Sequence, residues 1–159
     1  MADPLLSLAS ERIVTPNGIE SGYLHIESGR ISGLDSTPRG KIVDYRHPIL
    51  MPRFVDIHVH GWGRGSFAWR GERRSLQAMS RDLVNAGVTA WLATSATQPE
   101  TFLLESLSTA ADWIADAKAE DGAEAVGIHM EGPFINPAYS GMQSKDAIQP
   151  PDIEGFKRN

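Results

Sequence analysis

The sequence predicts an α/β chain, with a parallel sheet built from alternating strands and helices and a small β unit in front of it. Three observations predict this. Residues 1 to about 50 hold short apolar pieces separated by dense turn signals. From Phe54 the order reads strand, helix, strand, helix, strand, the pattern of right-handed βαβ units. Two of those strands, "FVDIHVHG" and "AVGIHMEGPF", carry aliphatic residues on one face and end in polar residues on the other.

In the first unit, residues 1–52, "ERIVTPNGIES" gives a strand and then a Pro-Asn-Gly turn. In "SGYLHIESGRISGLDS", Tyr23, Leu24 and Ile26 precede a turn at Gly29, and Ile31 follows it. An antiparallel β unit is expected, ending at "KIVDYRHPILMP" with Pro52 as punctuation. His25 and His47 read as structural or surface residues within it.

The second unit, residues 53–159, opens with the "FVDIHVHG" strand. "RSLQAMSRDLVNAG" spaces Leu76, Met79 and Leu83 as a helix does, and Gly87 stops it. "VTAWLATSA" is the second strand. "TQPETFLLESLSTAADWIADAK" is a longer helix with an apolar stripe of Leu103, Leu107 and Ile114. Thr97 and Glu100 are expected to form a capping box, with Pro99 in the first turn. "AVGIHMEGPF" is the third strand. A Pro-, Gly- and Ser-rich stretch follows, and "PPDIEGFKRN" opens another helix.

Composition narrows the function. The 159 residues are 41% hydrophobic and 22% charged, with a net charge of −5 and no clustered basic face. That excludes a nucleic-acid footprint. There is no cysteine, so any metal must be held by histidine and carboxylate. "MADPLLSLASERIV" lacks the basic start and apolar run of a secretory signal, and no run approaches the roughly 18 apolar residues of a membrane span. A cytoplasmic protein with no membrane partner is expected.

The strand period places Phe54, Asp56, His58 and His60 on one face, and Val55, Ile57 and Val59 on the other. The aliphatic face suits packing under helices. The Asp/His/His face needs partners. Alternate histidines at a strand end can converge on one ion at about 2.0–2.1 Å for zinc, and Asp56 can orient one of them. On the third strand Ala125, Gly127, His129 and Glu131 share a face. Chemistry in parallel α/β folds gathers at the carboxyl ends of strands, where His58, His60 and Glu131 all fall. Each also has a plainer reading: hydrogen-bonded interior histidines, or a glutamate in an ion pair. His129 reads equally as metal neighbour, substrate contact or core residue. The glycines of "GWGRG" read as a turn that opens the strand top, and Trp62, Phe67 and Trp69 as a cover over the mouth or an interface.

Beyond these readings, "MPRFVDIHVHG" resembles the opening strand of the amidohydrolase superfamily, and "GIHMEGPFINPAYSGMQ" is similar to the third-strand motif of N-acetylglucosamine-6-phosphate deacetylases. The resemblance implies a partial (β/α)8 (TIM) barrel, its first three strands and two helices, preceded by part of a small β-sandwich. A whole barrel takes about 250 residues. It implies Glu131 as carboxylate metal ligand, His58 and His60 as ligands at a second position that not every member uses, and Met142 and Gln143 against the substrate. Gln143 stands where many members have histidine, so it can donate a hydrogen bond but carry no proton at neutral pH. The implied cofactor is a divalent metal, one or two ions, zinc foremost with iron and manganese as alternatives. The implied reaction is metal-assisted hydrolysis of an amino-sugar phosphate to acetate and glucosamine 6-phosphate. The family's catalytic aspartate and two later histidines are implied beyond residue 159, so the remainder of the same protein is an expected partner, together with a second copy in a homodimer. The rival readings are a non-catalytic fragment or binding module using its open sheet, and another amidohydrolase of dihydroorotase-like type.

Overall fold

A computed structural model gives the fold and describes residues 5–69 and 71–158. The chain divides into two compact units, Met1–Pro52 and Arg53–Asn159.

In the first unit β1 (Leu6–Thr15), β2 (Gly18–Glu27), β3 (Arg30–Asp35) and β4 (Lys41–Asp44) form one sheet in the order β3-β2-β1-β4. The two hairpins are antiparallel. β4 departs from the all-antiparallel expectation: it pairs in parallel with β1, Lys41 opposite Leu6. The cause is the segment 36–40, which carries the chain from the β3 edge to the far side of β1, level with the start of β1.

Buried polar side chains hold that crossing. Ser7 and His25 are direct cross-strand partners and both are fully buried. Ser7 Oγ accepts the Arg39 N–H at 2.7 Å and donates to the Arg39 carbonyl at 2.5 Å. His25 Nδ1 lies 3.0 Å from Ser7 Oγ, and His25 Nε2 lies 3.2 Å from Asp35 Oδ1. The Thr37 N–H, with His25 and Arg39 beside it, holds the Asp35 carboxyl below its usual range. Serine, histidine and aspartate here share the atoms of a hydrolytic triad. The serine oxygen is enclosed and bonded to the Arg39 backbone, so the trio is a structural clasp rather than a nucleophile.

The second unit runs β5 (Phe54–Val59), a short hairpin of β6 (Gly61–Trp62) and β7 (Gly65–Ser66), α1 (Arg73–Val84), β8 (Val88–Ser95), α2 (Glu100–Asp116), β9 (Glu124–Met130) and α3 (Ile153–Arg158). β5, β8 and β9 make a parallel sheet with β8 in the middle. Almost every residue of β8 is buried, as a central parallel strand requires. Leu76, Met79 and Leu83 of α1 and Trp113 of α2 pack with Trp91 of β8 in one core. The Trp91 indole N–H donates to the Ala123 carbonyl at 3.2 Å, which satisfies its polar atom inside that core.

Three expectations are corrected here. First, α2 starts at Glu100 with Pro99 as its N-cap, and no Thr97 capping box forms. The Phe102 and Leu103 N–H groups bond the Pro99 carbonyl, while the Thr97 N–H goes to the Gln143 side chain. Second, the aliphatic faces are not all covered by helices: Val55 is 57% exposed, Ile57 65% and Val126 52%. β5 and β9 are outer strands; α1 packs mainly on the β6–β7 hairpin and β8, and α2 mainly on β9 and β8. Third, Phe67 covers no mouth; it is fully buried among Leu76 and Met79, while Trp62 and Trp69 stay half-exposed.

The "GWGRG" glycines form the β6–β7 hairpin seated on α1. Gly63 has φ +58, and a Cβ there would lie 2.3 Å from Asp82 Oδ2. The Arg64 backbone N–H and guanidinium both donate to the Asp82 carboxylate, at 2.8 to 3.1 Å. The Arg64 side chain, and then its backbone N–H, hold the Asp82 carboxyl down at about 2. Among the described residues no helix is long and apolar enough to cross a membrane.

Two outcomes are expected. Ser7→Ala removes the acceptor of the Arg39 N–H, and amide exchange at Arg39 accelerates by about tenfold, for a loss of about 1.4 kcal/mol. Asp82 has a depressed folded value, so its stabilisation is present above the ordinary 3.8 and is lost as pH falls toward about 2. The urea midpoint therefore drops between pH 4 and pH 2, and Asp82→Asn flattens that drop.

Candidate metal centre

The carboxyl end of β5 is not a regular strand. Asp56 pairs with Trp91 and Val59 with Ala93, so β5 advances three residues while β8 advances two. This is a β-bulge, and it releases backbone groups from the ladder. Side chains take them up. The His58 N–H donates to Asp56 Oδ1 at 3.0 Å, and the Val59 N–H donates to Thr94 Oγ1 at 2.9 Å. His129 Nδ1 reaches the Ile57 carbonyl at 2.8 Å. Asp56 thus supports a backbone amide of the His-x-His segment, where the sequence suggested that it orients a ring.

Above the bulge three side chains converge. His58 Nε2 and His60 Nε2 lie 3.3 Å apart. Glu131 Oε2 lies 3.3 Å from the first and 2.8 Å from the second. Donor atoms about 2.0–2.1 Å from a shared ion, at tetrahedral angles, sit about 3.3–3.4 Å from one another. Two of the three edges match that spacing and the third is tighter.

The angles add to the distances. By distance the imidazoles and the carboxylate make ion pairs, yet Glu131 Oε2 is buried and accepts no well-aligned hydrogen bond. A hydrogen bond weakens steeply when misaligned, so Glu131 Oε2 is left without one. The two imidazoles bond each other, Nε2 to Nε2, and a buried carboxylate oxygen left unsatisfied beside two ring nitrogens suits a cation. His60 Nδ1 bonds the Thr94 carbonyl at 3.1 Å, which makes Nδ1 the protonated nitrogen and leaves the Nε2 lone pair for a ligand. Among the described residues, His58, His60 and Glu131 are the group of this kind, their donor atoms within 4.8 Å of one another. The cluster suits one divalent ion.

Glu131 follows directly on β9, and the turn after it is tightly built. Gly132 has φ +80, and a Cβ there would come within 1.9 Å of Thr97 Oγ1. The 140s loop returns to the same strand ends: the Thr97 N–H donates to Gln143 Oε1 at 2.6 Å. This contact fixes the amide, since a backbone N–H needs the oxygen, and turns the Gln143 NH2 elsewhere. Met142 is 87% exposed. His58, His60 and Glu131 therefore form one cluster, while Gln143 is tied to the end of β8 and Met142 lies at the surface. Thr94 is a residue that sequence reasoning missed. It serves the histidine strand through both its hydroxyl and its carbonyl, and inside "WLATSA" nothing distinguishes it from its polar neighbours.

His58, His60 and Glu131 thus stand at the carboxyl-end rim of a parallel α/β sheet, the place where barrel folds gather their functional side chains. No family model matches the chain. It is 39% identical, over 99% of its length, to N-acetylglucosamine-6-phosphate deacetylase of Bacillus subtilis, and covers 41% of that protein. It is 28% identical to N-acetylgalactosamine-6-phosphate deacetylase of Escherichia coli O157:H7, over 92% of the chain and 38% of the relative. The crystal structure of N-acetylglucosamine-6-phosphate deacetylase from Thermotoga maritima superposes with a TM-score of 0.71 at 26% identity, over 100% of this chain and 39% of that one. The chain belongs to the N-acetylglucosamine-6-phosphate deacetylase family of the amidohydrolase superfamily, and it spans about two fifths of the length of these relatives.

Gly132→Ala tests the link between turn and cluster. The added methyl meets Thr97 in a left-handed backbone position, so the turn shifts at a cost of about 1–3 kcal/mol. A lower melting temperature together with weaker zinc binding is expected by scanning and titration calorimetry.

Proposed function

We propose that this chain is the N-terminal part of a metal-dependent amidohydrolase that removes the acetyl group of N-acetylglucosamine 6-phosphate, giving glucosamine 6-phosphate and acetate. The observation that carries it is the convergence of His58, His60 and Glu131 within 4.8 Å at the end of a parallel sheet. Its 39% identity to the Bacillus subtilis deacetylase supports the substrate class. Residues 1–52 are read as one part of a small β-sandwich, and residues 53–159 as the N-terminal portion of the barrel.

Each residue has a task in this reading. Glu131 supplies a charged oxygen, and His58 and His60 supply neutral nitrogens. That donor set suits zinc foremost and accepts iron or manganese. Three donors serve one ion; a second ion needs donors from the remainder of the barrel. His58, His60 and Glu131 would hold a divalent ion, which when bound would supply polarisation of the amide carbonyl and a nucleophile at neutral pH. Gln143, with its oxygen held by the Thr97 N–H, has its NH2 free to donate toward the acetamido carbonyl. Met142, exposed beside it, packs against the sugar. The proton-transfer aspartate and most of the phosphate contacts belong to the rest of the protein, which works as a cytoplasmic homodimer. The galactosamine epimer is a second reading, favoured by the 28% identity to the Escherichia coli enzyme.

The test is metal analysis and acetate release on the complete native gene product, with both epimers as substrates. Bound divalent metal and acetate from the glucosamine substrate are expected. Glu131→Gln is expected to lose both. A fully active Glu131→Gln protein, or a native protein with neither metal nor acetate release, overturns the reading.

A further inference from the structure

His129 has no part in the three-atom cluster, yet it touches the strand that carries two of its members. β9 and β5 are not neighbours, since β8 lies between them. His129 nevertheless reaches over β8: its Nδ1 lies 2.8 Å from the Ile57 carbonyl. A carbonyl oxygen has no proton to give, so Nδ1–H is the donor. The imidazole ring also packs edge-on to the His58 ring, with centroids 4.7 Å apart and planes at 80°. Ile57 sits inside the bulge, between the residues paired with Trp91 and Ala93. Its carbonyl immediately precedes the His58 N–H, which Asp56 holds from the other side.

We infer that His129 is a positioning residue for His58. Its Nδ1–H fixes the Ile57–His58 peptide unit, and its ring backs the His58 imidazole, so that His58 Nε2 faces Glu131. The bulge leaves this peptide unit outside the ladder, and without a second anchor it can rotate and swing the imidazole away. Asp56 anchors the amide side and His129 the carbonyl side. The inference rests on the metal-centre reading above and adds a residue that acts on a ligand without being one.

The test is zinc titration by calorimetry on this chain and its variants, with metal-free melting temperatures in parallel. His129→Phe keeps an aromatic edge and loses the donor. It is expected to weaken zinc binding about 10- to 100-fold, as loss of a group behind a metal ligand does, with the metal-free melting temperature little changed. His129→Asn places an amide N–H where Nδ1–H stood and is expected to restore most of the affinity. Equal affinity in His129→Phe and the unsubstituted chain overturns the inference. An affinity in His129→Asn no better than in His129→Phe also overturns it, because the Nδ1–H donor is then not what holds the peptide unit. In the unsubstituted, metal-free chain, nitrogen-correlated NMR is expected to show the Nδ1–H tautomer; the Nε2–H tautomer overturns the inference without any variant. Absence of zinc binding by the unsubstituted chain defeats the metal-centre reading itself, and this inference with it.

Discussion

Parallel pairing of β5 and β9 with the central β8 is the constraint on which the rest of the second unit depends. Strands that run the same way finish at the same edge of a sheet. Residues far apart in the chain, at positions 58, 60 and 131, therefore meet without any long loop to bring them there. The helices are consequences of the same pairing. Each parallel neighbour needs a crossover, and α1 and α2 are those crossovers. Their apolar stripes then cover β8 and enclose Trp91, so the core and the polar rim arise from one topological choice.

A second regularity runs through both units. At several places where the backbone leaves a regular ladder, a polar side chain accepts or donates what the ladder would have. Ser7 does this for Arg39 where segment 36–40 crosses the first sheet. Asp56, Thr94 and His129 do it at the β5 bulge. Gln143 does it for Thr97 just beyond β8. The cost of irregular backbone is met locally, with polar residues that look unremarkable along the chain. Asp82 and Arg64 serve the same end at the surface, fastening the glycine hairpin to α1.

The sheet strands, the two long helices and the cluster were legible in the sequence because each follows from a short-range period. Alternation placed the aliphatic residues of the strands, and the spacing of Leu76, Met79 and Leu83 marked α1. His58, His60 and Glu131 stood out because charged or ligating residues at strand ends are costly without a partner. What stayed hidden depends on distant partners. The parallel β4 follows from a crossing that local turn signals do not encode. Thr97 has the look of a helix cap, yet its N–H answers to a glutamine 46 residues away. The bulge at Ile57 and His58 leaves the strand pattern intact on paper and appears only as a register shift against β8. Phe67 follows a glycine-rich loop, and only packing against α1 reveals it as core.

The two imidazoles stand at the end of one outer strand and the carboxylate just past the end of the other. The two outer strands share no backbone ladder, only the side-chain bond from His129 to the Ile57 carbonyl, so a chelated cation would add a second and stronger tie between them. It would act as a staple over the middle strand and close the whole stretch of polypeptide between His60 and Glu131 into a ring. Chelation and folding of this sheet are then thermodynamically linked: the cohesion of the three strands would rise and fall with the supply of the ion.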